Sequence, residues 1–84
     1  MPDYKKGVSL AVNTTYTADE PYFILSHCSN NGSIVSYANG VQLSNVSTPY
    51  YNCSNFGFYV GTGDTFYVSG SPDSIIKFPL KGVN

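Results

Sequence analysis

The chain of 84 residues has no tryptophan and no arginine, a single histidine and two cysteines, and only 11% of its residues are charged. Each shortage excludes something. Binding nucleic acid requires a basic face that neutralises phosphates. Lys5, Lys6, Lys77 and Lys81, set against five acidic residues, cannot build one, so no nucleic-acid partner is expected. Soluble domains usually carry about 25% charged residues; here Ser, Thr and Asn must supply the polarity instead. A surface with so little charge has little repulsion to hold copies apart and is suited to being covered by partners. No stretch approaches the roughly 18 apolar residues of a membrane span, so membrane insertion is not expected. The polar start Met1–Lys6 is not followed by the apolar core of a signal peptide. The expectation is a product of the cytosol whose later location depends on assembly, not secretion.

The few chemically reactive residues do not form a recognisable centre. Structural zinc needs four ligands, usually in CxxC-type pairs, and none are present. His27 and Cys28 are neighbours, and neighbours on a strand point to opposite faces, so they cannot converge on one ion. Two free thiols are the simplest reading of Cys28 and Cys53. The alternative is a Cys28–Cys53 disulfide, which would close a loop of roughly 26 residues and contribute about 3–4 kcal/mol in the chain-entropy model. Asp3, Asp19, Glu20, Asp64 and Asp73 are scattered, whereas glycosidase chemistry requires two carboxylates across a cleft. No nucleophile elbow, phosphate loop, zinc-protease or calcium-loop pattern occurs. No catalytic residue, cofactor or metal site is expected.

What is present is turn chemistry and aromatic residues: 8 Gly, 5 Pro, 8 Tyr and 5 Phe. Asn39-Gly40 lies between Ser33–Tyr37 and Val41–Val46, and Asn-Gly between alternating runs is the strongest short-range hairpin signal. Ser29-Asn30-Asn31-Gly32 is a second turn, and Gly61-Thr62-Gly63-Asp64 leads into Thr65–Val68. Val8–Val12 and the apolar Tyr22–Cys28 read as further strands. Phe56, Phe58 and Val60 share one face and are expected in the core. Gly57, between them, leaves a gap for a neighbouring aromatic ring. For the central hairpin, the Val35/Tyr37 and Val41/Leu43 faces are expected to be the core side. Ile75–Phe78 closes the set. Seven to eight short strands, turn signals every 8–12 residues and no helical period predict an all-β, compact antiparallel sandwich or jelly-roll-like domain. It spans 1–84 as one domain, with 1–7 as a flexible N-terminal arm.

The order of these pieces carries a resemblance. Tyr16-Thr17-Ala18 precedes a strand, Tyr37-Ala38-Asn39-Gly40-Val41 sits in the middle, Gly63-Asp64-Thr65 comes late and Phe78-Pro79-Leu80-Lys81-Gly82 closes the chain. This order resembles small bacteriophage virion modules of the head-decoration, head-fibre and tail-fibre-tip types, and is similar to the C1q/TNF-like jelly roll. It covers Tyr16–Gly82, through turn motifs of a general kind. The resemblance implies a non-enzymatic structural virion protein, such as a capsid decoration or fibre subunit, made in the host cytoplasm. It would act by packing as a homo-oligomer, a trimer above all, and against other virion proteins. An alternative it implies is a carbohydrate- or host-receptor-binding tip module of a tail fibre. Because Tyr combines a large contact area with a polar end, the interface or ligand candidates are Tyr22, Tyr50, Tyr51, Tyr59 and Tyr67. Tyr50-Tyr51-Asn52 and Asn30-Asn31 are the places expected for a sugar, and Asn39, Gly40, Gly63 and Asp64 are expected as structural turns.

Overall fold

A single long hairpin, doubled over on itself, organises the computed structural model, which describes residues 1–82. Its tip is Asn39-Gly40, where φ is +52° and +79°. These are the two left-handed positions a type I′ turn demands, and Asn and Gly tolerate them best. From the tip outward the strands pair in nested order. β4 (Ser33–Ala38) pairs with β5 (Val41–Ser47), and β3 (Tyr22–Ser29) with β6 (Cys53–Val60). Beyond them β2 (Tyr16–Thr17) pairs with β7 (Thr65–Gly70), and β1 (Val8–Ser9) with β8 (Ser74–Pro79). All of these ladders are antiparallel. Rolling this ribbon produces two four-stranded sheets, ordered β1-β8-β3-β6 and β2-β7-β4-β5. The result is a jelly-roll-like sandwich. The first strand is shorter than the Val8–Val12 run implied, ending at Ser9.

Alternation along the strands builds the core. In β3, residues Tyr22, Ile24, Ser26 and Cys28 point inward and Phe23, Leu25, His27 and Ser29 outward. Ile24 and Ile34 are completely buried, and Phe58, Val60, Phe66, Val68 and Ile75 close around them. Burying each such side chain contributes about 1.5–3 kcal/mol. Phe58 and Val60 take the inward positions expected of them, with Phe56 packed at the margin. Gly57 faces outward, and the ring of Phe23 from the paired strand lies over it, where a Cβ would collide. The same ring packs against Tyr59, with centroids 4.9 Å apart.

The core side of the central hairpin is the reverse of the expected one. Ile34 and Ser36 are the inward pair on β4, both fully buried, while Val35 and Tyr37 are only half-buried on the outside. The register places Ser44 of β5 opposite Ser36, so the core face here carries two serines. Counting apolar residues therefore favours the wrong face. A bulge at Ser36/Tyr37 then shifts the register, pairing Ser36 with Ser44 but Tyr37 with Gln42 and leaving Leu43 unpaired. Leu43, next to the inward Ser44, points outward by alternation and is 42% exposed, and Val41, beyond the bulge at the start of the strand, is 61% exposed. The Ser44 hydroxyl accepts the Ser36 N–H at 3.2 Å, which repairs the ladder at the bulge.

Residues 1–7 run beside the end of β8. Pro2 bridges Leu80, the Asp3 amide donates to the Pro79 carbonyl at 2.7 Å, and Tyr4 packs edge-on against Phe78.

Candidate functional site

The two turn motifs converge on one corner. Asn39 at the hairpin tip donates through Nδ2 to Asp64 Oδ1 at 3.0 Å and accepts the Thr65 N–H at 2.9 Å. Asp64 uses its other oxygen to close its own loop, accepting the Gly61 N–H at 2.7 Å. These two bonds, the one from Asn39 first, hold the Asp64 carboxyl below its ordinary value of 3.8. The Gly63 amide, at φ +88°, donates to the Ala18 carbonyl, and Ala18 donates to the Asp64 carbonyl. The corner thus ties together the ends of β2, β4 and β7, and its residues are fully engaged in holding the fold.

Tyr22 is corrected from interface to core. It is 6% exposed, and only its hydroxyl reaches outward, donating to Asp19 Oδ1 at 2.6 Å. That bond, aided by burial, pushes the phenol up to about 12 and holds Asp19 below 3.8. The Lys77 ammonium sits 4.6 Å from the centre of the Tyr22 ring. Both cysteines are free, as in the simplest reading, and the alternative Cys28–Cys53 disulfide does not form. Cys28 is directly opposite Ser54, and Cys53 is opposite Ser29. The offset of one residue sends the two thiols to opposite faces of the sheet. Cys28 is buried, with its sulfur 2.8 Å from Thr48 Oγ1. His27 lies on the outer face beside Asn55, Nδ1 to Oδ1 2.8 Å. Among the described residues no group of three or more His, Cys, Asp or Glu side chains is arranged to hold a metal ion.

The remaining tyrosines fall on two surfaces. Tyr50 and Tyr51 belong to one flank of the sandwich, where β5 and β6 are the open edges of their sheets, and Tyr59 is on edge strand β6 but faces the outside of its sheet beside Phe23. Tyr50 and Tyr51, 58% and 86% exposed, form an edge-on pair on the loop between these strands. Tyr51 holds φ at +66° there, and its N–H donates to Asn30 Oδ1. Tyr59 is 63% exposed near the end of β6, and Val41 and Leu43 are exposed at the start of β5 in the other sheet. Neither edge strand contains a charged residue or a proline. Such residues, bulges or extreme shortness are how exposed edges are usually protected from pairing with other chains; of these β5 has only the bulge in its ladder with β4. The edges at the opposite flank, β1 and β2, are only two residues long. Val41 and Leu43 are surface residues, against expectation, because β5 is a sheet edge, a position that nothing in Val41–Ser47 marks.

Tyr67 belongs to the second surface, the outside of the β2-β7-β4-β5 sheet. With Tyr37 it lines an open groove of about 570 Å³, together with Thr15, Thr65, Ser69 and the Asn39-Gly40 tip. The two rings are 5.8 Å apart at 55°.

Comparison with known proteins gives no match: no family model, no curated protein and no solved structure corresponds to this chain.

Proposed function

We propose that this chain is a non-enzymatic structural module of a virion, such as a capsid decoration or fibre subunit, and that it works by packing against copies of itself and neighbouring virion proteins. The observation that carries the reading is the β5–β6 flank. Two long, uncharged edge strands lie side by side there, with Val41, Leu43, Tyr50, Tyr51 and Tyr59 exposed around them. Open ladders and exposed apolar side chains are the features that association covers. The low charge of the chain adds no repulsion against close approach of copies. The jelly-roll architecture is one that viral capsid proteins use, as do lectins and cupins.

Four of the five carboxylates support it too, because they serve the fold. Asp3 caps the first turn, Asp19 holds Tyr22, Asp64 closes its loop and Asp73 accepts the Ser29 hydroxyl at 2.6 Å. Subunits of about this size gain from association the apolar burial that their own cores lack. A trimer is the expected state. Sedimentation equilibrium over a range of concentrations tests it: a mass about three times the 9.1 kDa of the chain is expected. A 9.1 kDa species at the highest concentration would defeat the reading.

A further inference from the structure

The groove outside the β2-β7-β4-β5 sheet has a composition the assembly reading does not use. Its floor is the Tyr37–Tyr67 pair and its rim is Thr15, Thr65, Ser69 and Asn39. The volume, about 570 Å³, falls within the range of about 300–1,000 Å³ typical of small-molecule sites. The hydroxyls around it are only loosely committed. The Tyr37 hydroxyl is 3.5 Å from Gln42 Oε1 and the Tyr67 hydroxyl 3.4 Å from Asn13 Oδ1. Thr65 Oγ1 lies 3.5 Å from Asn39 Oδ1, and Ser69 Oγ 3.5 Å from the Val35 carbonyl. Bonds this long hold their donors weakly, so these groups are free to turn to a better acceptor. The wall, by contrast, is rigid, because Asn39 is fixed by its bonds of 3.0 and 2.9 Å to Asp64 and Thr65.

No lysine, histidine or carboxylate lines the groove. It has nothing to neutralise a phosphate or a carboxylate, which excludes nucleotides and acidic ligands as good occupants. A matching ligand is neutral, carries many hydroxyls and presents C–H groups to the negative face of an aromatic ring. From this geometry we infer that the groove is a binding site for a neutral oligosaccharide, with a sugar ring lying on Tyr67 and Tyr37 and its hydroxyls meeting Thr15, Thr65 and Ser69. The site is thus separate from the Tyr50-Tyr51-Asn52 loop where sugar binding was expected.

Saturation-transfer NMR on the full chain tests this with cellotriose, maltotriose and chitotriose at millimolar concentration, and with thymidine as an aromatic-stacking control. At least one oligosaccharide is expected to receive saturation, thymidine less. In the wild-type protein the accompanying amide shifts are expected at Asn39–Gly40 and Thr65–Ser69, a readout that needs no substitution. Tyr67→Ala is expected to weaken binding by about tenfold or more, the loss typical of an aromatic anchor, and Val8→Ala, at an exposed position on the short β1 edge, to leave it unchanged. The inference is overturned if none of the three sugars binds, if thymidine binds as well as they do, or if the shifts gather at Tyr50–Asn52.

Discussion

Replacing Asn39 tests whether the corner between the hairpin tip and the Gly63-Asp64 turn holds the roll closed. Asn39→Ala removes the acceptor for the Thr65 N–H, a bond of 2.9 Å. A hydrogen bond of this kind contributes about 1 kcal/mol net. Alanine also keeps a β-carbon at φ +52° without the short polar side chain that lets Asn tolerate that conformation, which costs about 1 kcal/mol more. Asn39→Ala is therefore expected to lose about 2 kcal/mol. Asn39→Gly loses the same side-chain bonds without the steric cost, so it is expected to lose about 1 kcal/mol. With a urea slope near 1 kcal/mol/M for a chain this small, the midpoints fall by about 2 M and about 1 M. Urea unfolding followed by tyrosine fluorescence, at one fixed protein concentration, measures both. Equal midpoints for the two variants would refute the strain component. A wild-type midpoint in both would refute the clamp altogether.

Two other predictions concern protons and thiols. Asp19 and Asp64 are held below 3.8, Asp19 chiefly by the Tyr22 hydroxyl and Asp64 chiefly by Asn39. Each contributes stability above that ordinary value that disappears as pH falls through the lower folded one. Tyr22, raised from 10.0 to about 12, contributes stability below pH 10.0 that disappears as pH rises through about 12. Melting temperatures across the acid and alkaline limbs are thus expected to fall at both ends, with Tyr22→Phe flattening the alkaline limb; an unchanged alkaline limb in that variant contradicts the assignment. Titration with a thiol reagent is expected to find one reactive cysteine, Cys53, in the native protein and two after unfolding, since Cys28 is buried. A protein with no thiol titratable even when unfolded would restore the disulfide.

The sequence carried the turns more clearly than the faces. Asn39-Gly40 and Asn30-Asn31 adopt the positive φ values that their chemistry advertises, because a turn is decided by adjacent residues. Which face of a strand turns inward is decided by partners far along the chain. At β4 the inward positions include Ser36, paired with Ser44, and a local count of apolar residues selected Val35 and Tyr37 instead. Leu43 faces outward because its neighbour Ser44 faces inward opposite Ser36, and the bulge beside it has no local marker in Val41–Ser47. Tyr22 and Tyr59 look alike as tyrosines on strands. Only the pairing Tyr22–Val60 and Phe23–Tyr59 separates them onto the two sides of one sheet. The cysteines follow the same logic, because a register offset of one residue, invisible in their spacing, keeps the thiols apart. The convergence of Asn39 on Asp64 also depends on the rolled topology, although each turn was legible alone.

The central claim, that the β5–β6 flank is the assembly surface, is tested most directly by placing charge on each flank in turn and measuring mass. Leu43→Lys with Tyr59→Lys adds two like charges at exposed positions of the proposed interface; Val8→Lys with Val12→Lys does the same at exposed positions elsewhere. Sedimentation equilibrium is expected to show the first variant as a 9.1 kDa monomer and the second at the wild-type multiple of that mass. An oligomer that survives Leu43→Lys with Tyr59→Lys, or dissolves only with Val8→Lys and Val12→Lys, would contradict the account.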